Sequence, residues 1–294
     1  MLKYILIVLL LTIIGFIFRY FQKKEEQTLH YDLVSKYLLR GLPNTNRPIL
    51  WVYIPNEVNA RNWKNWGSRN TTTINIPYIQ HSIQSIIKHS EKDFNIYFIT
   101  NDSFSILFKD WNINIDKLAN PERQNIIHFA LLRVLYTYGG LLSPMSFLSL
   151  RPLKEIYDYG IHTSDKGIFF ASKDDFFIGS KANSSHLKNT IQDLQELLSG
   201  HHSLDTTEQM KTILSNNIYT IPEQLIGKRD VDNNRVHMDE LLSETPIRFH
   251  KRLFGIVIPT ESILRSTKYQ WFAYAHYEDI KHMNNTISKL ILLH

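Results

Sequence analysis

The sequence predicts an α/β fold, a mostly parallel sheet flanked by helices and preceded by one apolar N-terminal helix. Three observations carry this expectation. Short β-rich apolar runs alternate with longer amphipathic stretches, the pattern of strands joined by helical crossovers. One helical face ends at Tyr138-Gly139-Gly140 and hands over directly to Leu141-Leu142. The run from Tyr4 to Phe18 carries no charge.

That run spans about 22 Å as a helix at ~1.5 Å per residue, slightly short of a ~30 Å hydrocarbon core. Leu2, Tyr20 and Phe21 extend it, and Lys3 and Arg19 can snorkel to the two interfaces. Residues 1–21 therefore read as a transmembrane anchor with lipid as its partner, giving a single-pass membrane protein. A cleaved signal peptide needs small residues after the apolar run, and Phe16 to Phe21 is bulky throughout. Arg19, Lys23 and Lys24 against Lys3 slightly favour a cytosolic C-terminal domain.

Residues 22–47 are polar and broken by Gly41 and Pro43, as in a stalk with a short helix around Asp32 to Leu39. A single α/β domain is expected over residues 48–294. Ile49 to Ile54, closed by Pro55, reads as a buried strand, followed by a Trp- and Asn-rich loop from Asn56 to Asn75. Pro77 opens a helix with Ile79, Ile83, Ile86 and Ile87 on one face. Phe94 to Thr100 is a second strand, ending at Asn101-Asp102. Asn120-Pro121-Glu122 is a helix start with Asn as cap, and Ile127, Leu131, Val134, Leu135 and Tyr138 form that helix's apolar face. Gly139 stops it, and Leu141 to Leu150 is extended. Short strands follow at Gly167 to Ala171 and Phe176 to Ile178, then a helix over His186 to Leu198. A late strand covers Phe254 to Pro259, and the tail from Trp271 to Leu293 is mostly helical.

Composition excludes several chemistries. The chain has 294 residues and no cysteine, so it has no disulfide framework, thiolate metal site or cysteine nucleophile. The formal charge of +5 is spread without a block of like charges, which describes a solvated surface and not a nucleic-acid footprint. Phosphate-binding glycine loops, G-x-S-x-G and H-E-x-x-H are absent from the sequence. Four N-x-S/T sequons, at Asn70, Asn101, Asn183 and Asn284, are expected by chance in an Asn-rich chain.

Residues 48–150 read as a unit: a strand with Trp51, a helix, a strand ending in Asn101-Asp102, then a helix running into Leu135-Tyr136-Thr137-Tyr138-Gly139-Gly140. This order resembles the family 32 glycosyltransferases and the related capsular polysaccharide synthesis proteins. Among these the chain looks most like members from large DNA viruses. The resemblance implies a GT-A, nucleotide-sugar-binding fold and transfer of a sugar from a nucleotide donor to a glycan or protein acceptor. It also implies a host endomembrane or virion membrane as the location. The family carries Asp-x-Asp just after the glycines, and here those positions hold Pro144 and Ser146. An upstream Asp-x-x-Arg of the family falls on His128 and Leu131. Magnesium or manganese bridging a diphosphate needs hard carboxylate oxygen, so either ion requires relocated acids. Without a metal, Lys or Arg has to stabilise the leaving diphosphate, with Arg69, Lys173, Lys181 and Lys228 as candidates.

The candidate cleft on this reading contains Trp51, Tyr53, Asp102, His128, Gly139, Gly140, Ser143 and Ser146. Each has a plainer role beside it. Trp51 and Tyr53 suit the core as well as a base-stacking wall. Asp102 suits a turn as well as a ligand site at a strand end. His128 suits a structural place on an amphipathic helix. Asp174-Asp175, the weak candidate for a displaced metal site, suits a solvated loop. His201-His202 lack metal-ligand spacing, and Asp230 to Asn234 mimics only the start of a calcium loop. Two functions follow: a glycosyltransferase that is metal-independent or uses relocated acids, or a catalytically inactive, membrane-tethered structural or binding protein on the same scaffold. A polar cleft beside Tyr53, Asp102 and Ser143 to Ser146 favours the first, and filling of that space by Met145 and Phe147 favours the second.

Overall fold

The computed structural model describes residues 34–55, 57–58, 70–71, 76–199, 206–215 and 218–293, together with positions 4, 7, 9–18 and 20. The chain order is β1 (Ile49–Tyr53), β2 (Glu57–Val58), β3 (Asn70–Thr71), α1 (Pro77–Lys88), β4 (Asn95–Ile99), α2 (Ser103–Leu107), α3 (Glu122–Tyr138), β5 (Gly140–Ser143) and β6 (Phe147–Ser149). It continues with α4 (Leu153–Thr163), β7 (Ile168–Ser172), β8 (Phe177–Ser180), α5 (Ser185–Ser199), α6 (Thr206–Ser215), β9 (Tyr219–Thr220), α7 (Met238–Leu241) and β10 (Gly255–Val257). Four short helices close it: α8 (Thr260–Arg265), α9 (Gln270–Tyr274), α10 (Tyr277–His282) and α11 (Thr286–Leu292).

Six strands form the main sheet in the order β4-β1-β5-β8-β7-β9. Pairings β1–β4, β1–β5 and β7–β9 are parallel, so the sheet is mostly parallel as expected. β8 runs against both β5 and β7. The period-two alternation of each strand divides its side chains between two layers. Leu50, Val52, Phe98, Leu141, Phe169 and Phe177 enter a core closed by α1, α4 and the C-terminal helices. Ile49, Trp51, Leu142, Ile168, Phe170 and Ile178 enter the opposite core under α3, α5 and α6.

Several boundaries differ from the sequence reading, each for a local reason. Leu141 to Leu150 is two strands in two sheets. Pro144 breaks the run, Phe147 N–H donates to Pro144 O (3.2 Å), and β6 then pairs antiparallel with β10. α3 begins at Glu122 without a side-chain cap, so Asn120 does not cap it. The sequence reading has no β9, α4 or α6, nor the short β2, β3, α2, α7 and α8: β9 has two residues, whereas α4 and α6 do carry the amphipathic period of a helix. Part of the expected stalk lies on the domain. Leu39 is buried and its N–H donates to Phe98 O (2.9 Å), beside the edge strand β4.

Residues 9–18 are helical and exposed. Among the described residues no helix is long and apolar enough to cross a membrane. The ends of the expected anchor, residues 22–33 of the stalk, Arg69 and His201-His202 lie outside the described residues.

Candidate functional site

The strand order itself marks a candidate ligand edge. From β1 the chain crosses to β4 on one side, and from β4 it returns past β1 to β5 on the other. The connections therefore part between the carboxyl ends of β1 and β5, where α/β sheets open a crevice for ligands. Tyr53 ends β1, Thr100-Asn101-Asp102 follow β4, Ser143 ends β5 and Pro144-Met145-Ser146 follow it. α3 runs back from this edge, so its first turn lies at the carboxyl edge and Gly139 at the opposite one. β8 pairs antiparallel with β5, Ile178 opposite Leu142, which brings the Lys173–Phe176 turn to the same edge.

A chain of hydrogen bonds crosses the edge. The Tyr53 hydroxyl donates to Asn101 Oδ1 (2.6 Å), and Asn101 Nδ2 donates to Asp116 Oδ1 (2.8 Å). The same Asp116 oxygen accepts from Arg123 Nη2 (3.0 Å) in the first turn of α3. Asn101 is buried, and the Tyr53 ring stacks on Phe104 with centroids 6.2 Å apart. Each middle member thus has two partners, which fixes its orientation.

The other wall is built around the Lys173–Phe176 turn. His128 of α3 lies face to face on the Phe176 ring, with centroids 4.2 Å apart, and Phe176 has φ +50°. Part of the residue reaches solvent, but the imidazole sits within a dense shell of protein, and this burial pulls its pKa down to about 4. The unfolded chain therefore binds this proton more readily. The associated stability is present above the ordinary pKa of 6.5 and is lost as pH falls from there toward about 4. The His128→Gln variant is expected to flatten the pH dependence of the unfolding midpoint across that window, read by urea titration at several pH values. An unchanged slope would mean that His128 titrates normally.

Asp174 and Asp175 both pair with Lys228, at 2.9 Å and 2.8 Å, and Ser172 Oγ donates to Asp175 Oδ2 (2.5 Å). Burial works against the Lys228 charge. The hydrogen bond and charge of Asp175, then those of Asp174, outweigh it and raise the pKa above the ordinary 10.5. A raised lysine pKa stabilises fully below 10.5 and loses that contribution as pH climbs through the higher folded value. The Lys228→Met variant should be less stable than wild type by about 1–2 kcal/mol near neutrality. The gap should close only in strong alkali, measurable by denaturant titration. A gap that narrows around neutral pH instead would contradict this pairing.

The sequence-derived site residues divide between the two edges. Tyr53, Asp102, His128, Ser143 and Ser146 lie at or lead into the carboxyl edge. Trp51, Gly139 and Gly140 do not. Trp51 is fully buried, and its indole N–H donates to Gly139 O (2.9 Å). Gly139 and Gly140 lie at the amino end of β5, with φ +67° and +105°. A Cβ on Gly140 would stand 2.2 Å from Ile49 O. Their role is to let a helix turn abruptly into a strand held tightly against β1. Asp102 is exposed and precedes α2 without capping it through its side chain. Ser143 is buried, with its hydroxyl directed to Pro144 O (3.3 Å), and Ser146 O accepts the Ile258 N–H (3.0 Å). Met145 packs on the core, and Phe147 is fully buried against Phe177.

The residues present do not fit a divalent metal. Pro144 offers no side-chain ligand, Ser146 offers at most a hydroxyl, and Asp174 and Asp175 each give an oxygen to Lys228. Among the described residues no three His, Asp or Glu side chains converge to hold an ion. The Asp230 carboxylate turns onto its own loop, accepting from the Asp232 and Asn234 amides, so that segment caps itself. Of the candidate cations, Lys181 follows the end of β8 at the amino edge, whereas Lys173 and Lys228 are at the carboxyl edge. Asn101, Asp116 and Arg123 were missed as a group. Asn101 stood beside the more conspicuous Asp102, and nothing local links Asp116 to Arg123.

No protein-family model, no curated protein and no solved structure matches this chain.

Proposed function

We propose that this chain is a glycosyltransferase-like protein that binds a nucleotide-sugar at the carboxyl edge of β1 and β5 and acts without a divalent metal. The observation that carries the reading is the reversal of strand order between β1 and β5, at whose carboxyl ends Tyr53, Asn101 and Ser143 to Ser146 lie. The order of elements supports it: a strand with Trp51, a helix, a strand ending at Asn101-Asp102, and a helix running through Gly139-Gly140 into an apolar strand. In the reaction the bond from the sugar carbon to the diphosphate breaks, its electron pair leaving on phosphate. An acceptor hydroxyl of a glycan or protein forms the new bond to the sugar carbon and gives its proton to solvent water. With neither Asp at positions 144 and 146, the leaving charge falls to side-chain cations. The charge-free segment from Tyr4 to Phe18 would tether the protein to a membrane.

One observation favours a second reading, a non-catalytic binding protein on the same scaffold. The acidic pair at the edge is held by Lys228, and Met145 and Phe147 pack inward. Calorimetric titration of the full chain with UDP-, GDP- and CMP-sugars, with manganese or with EDTA, tests both readings. Saturable binding in EDTA together with sugar transfer to an acceptor supports the transferase. Binding without transfer or donor hydrolysis supports the binding protein. No binding by the folded chain rejects the nucleotide-sugar reading.

A further inference from the structure

We infer that Arg123 is the diphosphate-binding cation of this cleft, held in position by Asp116 and Asn101. The inference rests on the nucleotide-sugar reading and deepens it by naming the group that replaces the metal charge. Arg123 sits in the first turn of α3, and a helix of 17 residues adds its positive end at the same place. Its Nη2 donates to Asp116 Oδ1 (3.0 Å), and Asn101 Nδ2 donates to that same oxygen (2.8 Å). Asn101 is in turn fixed by the Tyr53 hydroxyl (2.6 Å). Three hydrogen bonds therefore tie the end of β1, on one bank of the crevice, to the guanidinium. The side chain of Arg123 is 30% exposed, and Asp116 engages it through a single oxygen. The rest of the planar fork stays available for the paired oxygens of a diphosphate, for which its geometry is suited.

The other cations are less fit for this role. Lys228 is shared between Asp174 and Asp175. Arg133 is held by both oxygens of Asp110, and its guanidinium lies over Phe108, 4.4 Å from the ring centroid. Lys181 is at the wrong edge of the sheet. Lys173 is exposed and lacks a partner network of the Arg123 kind among the described residues.

The test titrates the full chain in EDTA with UDP, GDP and CDP, and separately with uridine, guanosine and cytidine. For the diphosphate that wild type binds, Arg123→Ala should weaken affinity at least tenfold and flatten its salt dependence, leaving nucleoside affinity unchanged. Arg123→Lys should recover part of the loss, since it keeps the charge without the fork, and it serves as the reporter if the alanine variant does not fold. Asp116→Ala should also weaken the diphosphate, by releasing the guanidinium. If Arg123 merely braces the loop, both variants will melt earlier but bind every diphosphate as wild type does, and the inference is overturned while the nucleotide-sugar reading stands. If wild type binds none of the panel, the reading itself fails and the inference goes with it.

Discussion

Replacing Gly140 with alanine is expected to destabilise the protein by about 4 kcal/mol, the sum of a strained backbone and an overpacked strand contact. At φ +105° any L side chain is strained, and the new Cβ would lie 2.2 Å from Ile49 O and 3.0 Å from Ile49 C. Both atoms belong to the backbone of β1, which is paired to β5 on one side and to β4 on the other. The strand cannot yield without breaking one of those ladders. Gly139 offers no relief, because at φ +67° its own Cβ position is 2.6 Å from Ala182 N. Thermal unfolding should show a melting temperature lowered by about 10 °C. On the proposed nucleotide-sugar reading, the surviving folded molecules should keep whatever nucleotide affinity the wild type has, since this turn is at the amino edge of the sheet. Near-native stability would show that the strands are not held this closely. Normal stability with lost binding would return the glycines to the site.

Trp51→Ala should have the next largest effect, about 4–5 kcal/mol, at the upper end of large-to-small core substitutions. The indole is fully buried among Tyr97 and Tyr138, with centroids 5.7 Å and 5.9 Å away. Truncation opens a cavity and orphans Gly139 O, to which Nε1–H donates at 2.9 Å. Trp51→Phe separates the two losses. It keeps most of the apolar volume and should cost about 1–3 kcal/mol, the penalty for a buried polar group left without its partner. Urea titrations of both variants give the stabilities, and nucleotide titration of the phenylalanine variant gives the function. A base-stacking tryptophan would lose affinity on Trp51→Phe; a core tryptophan would not. The hydrogen bond also ties β1 to the turn that starts β5.

The sequence by itself determined the α/β alternation and most element positions. β1, α1, β4, α3 and β5 are set by short-range causes: apolar runs of strand length, Pro77 at a helix start and Gly139 at a helix end. Tertiary structure decided which residues meet. Strand order set Trp51 and the two glycines apart from the carboxyl edge, and it brought β8 antiparallel beside β5 so that Phe176 could stack on His128. It also joined Lys228 to Asp174 and Asp175, and Arg123 through Asp116 and Asn101 to Tyr53. Those partners are far apart in the chain or separated by irregular loops. Backbone propensity acts over a few residues, whereas the pairing of polar side chains waits on which strand edges and helix ends are packed together.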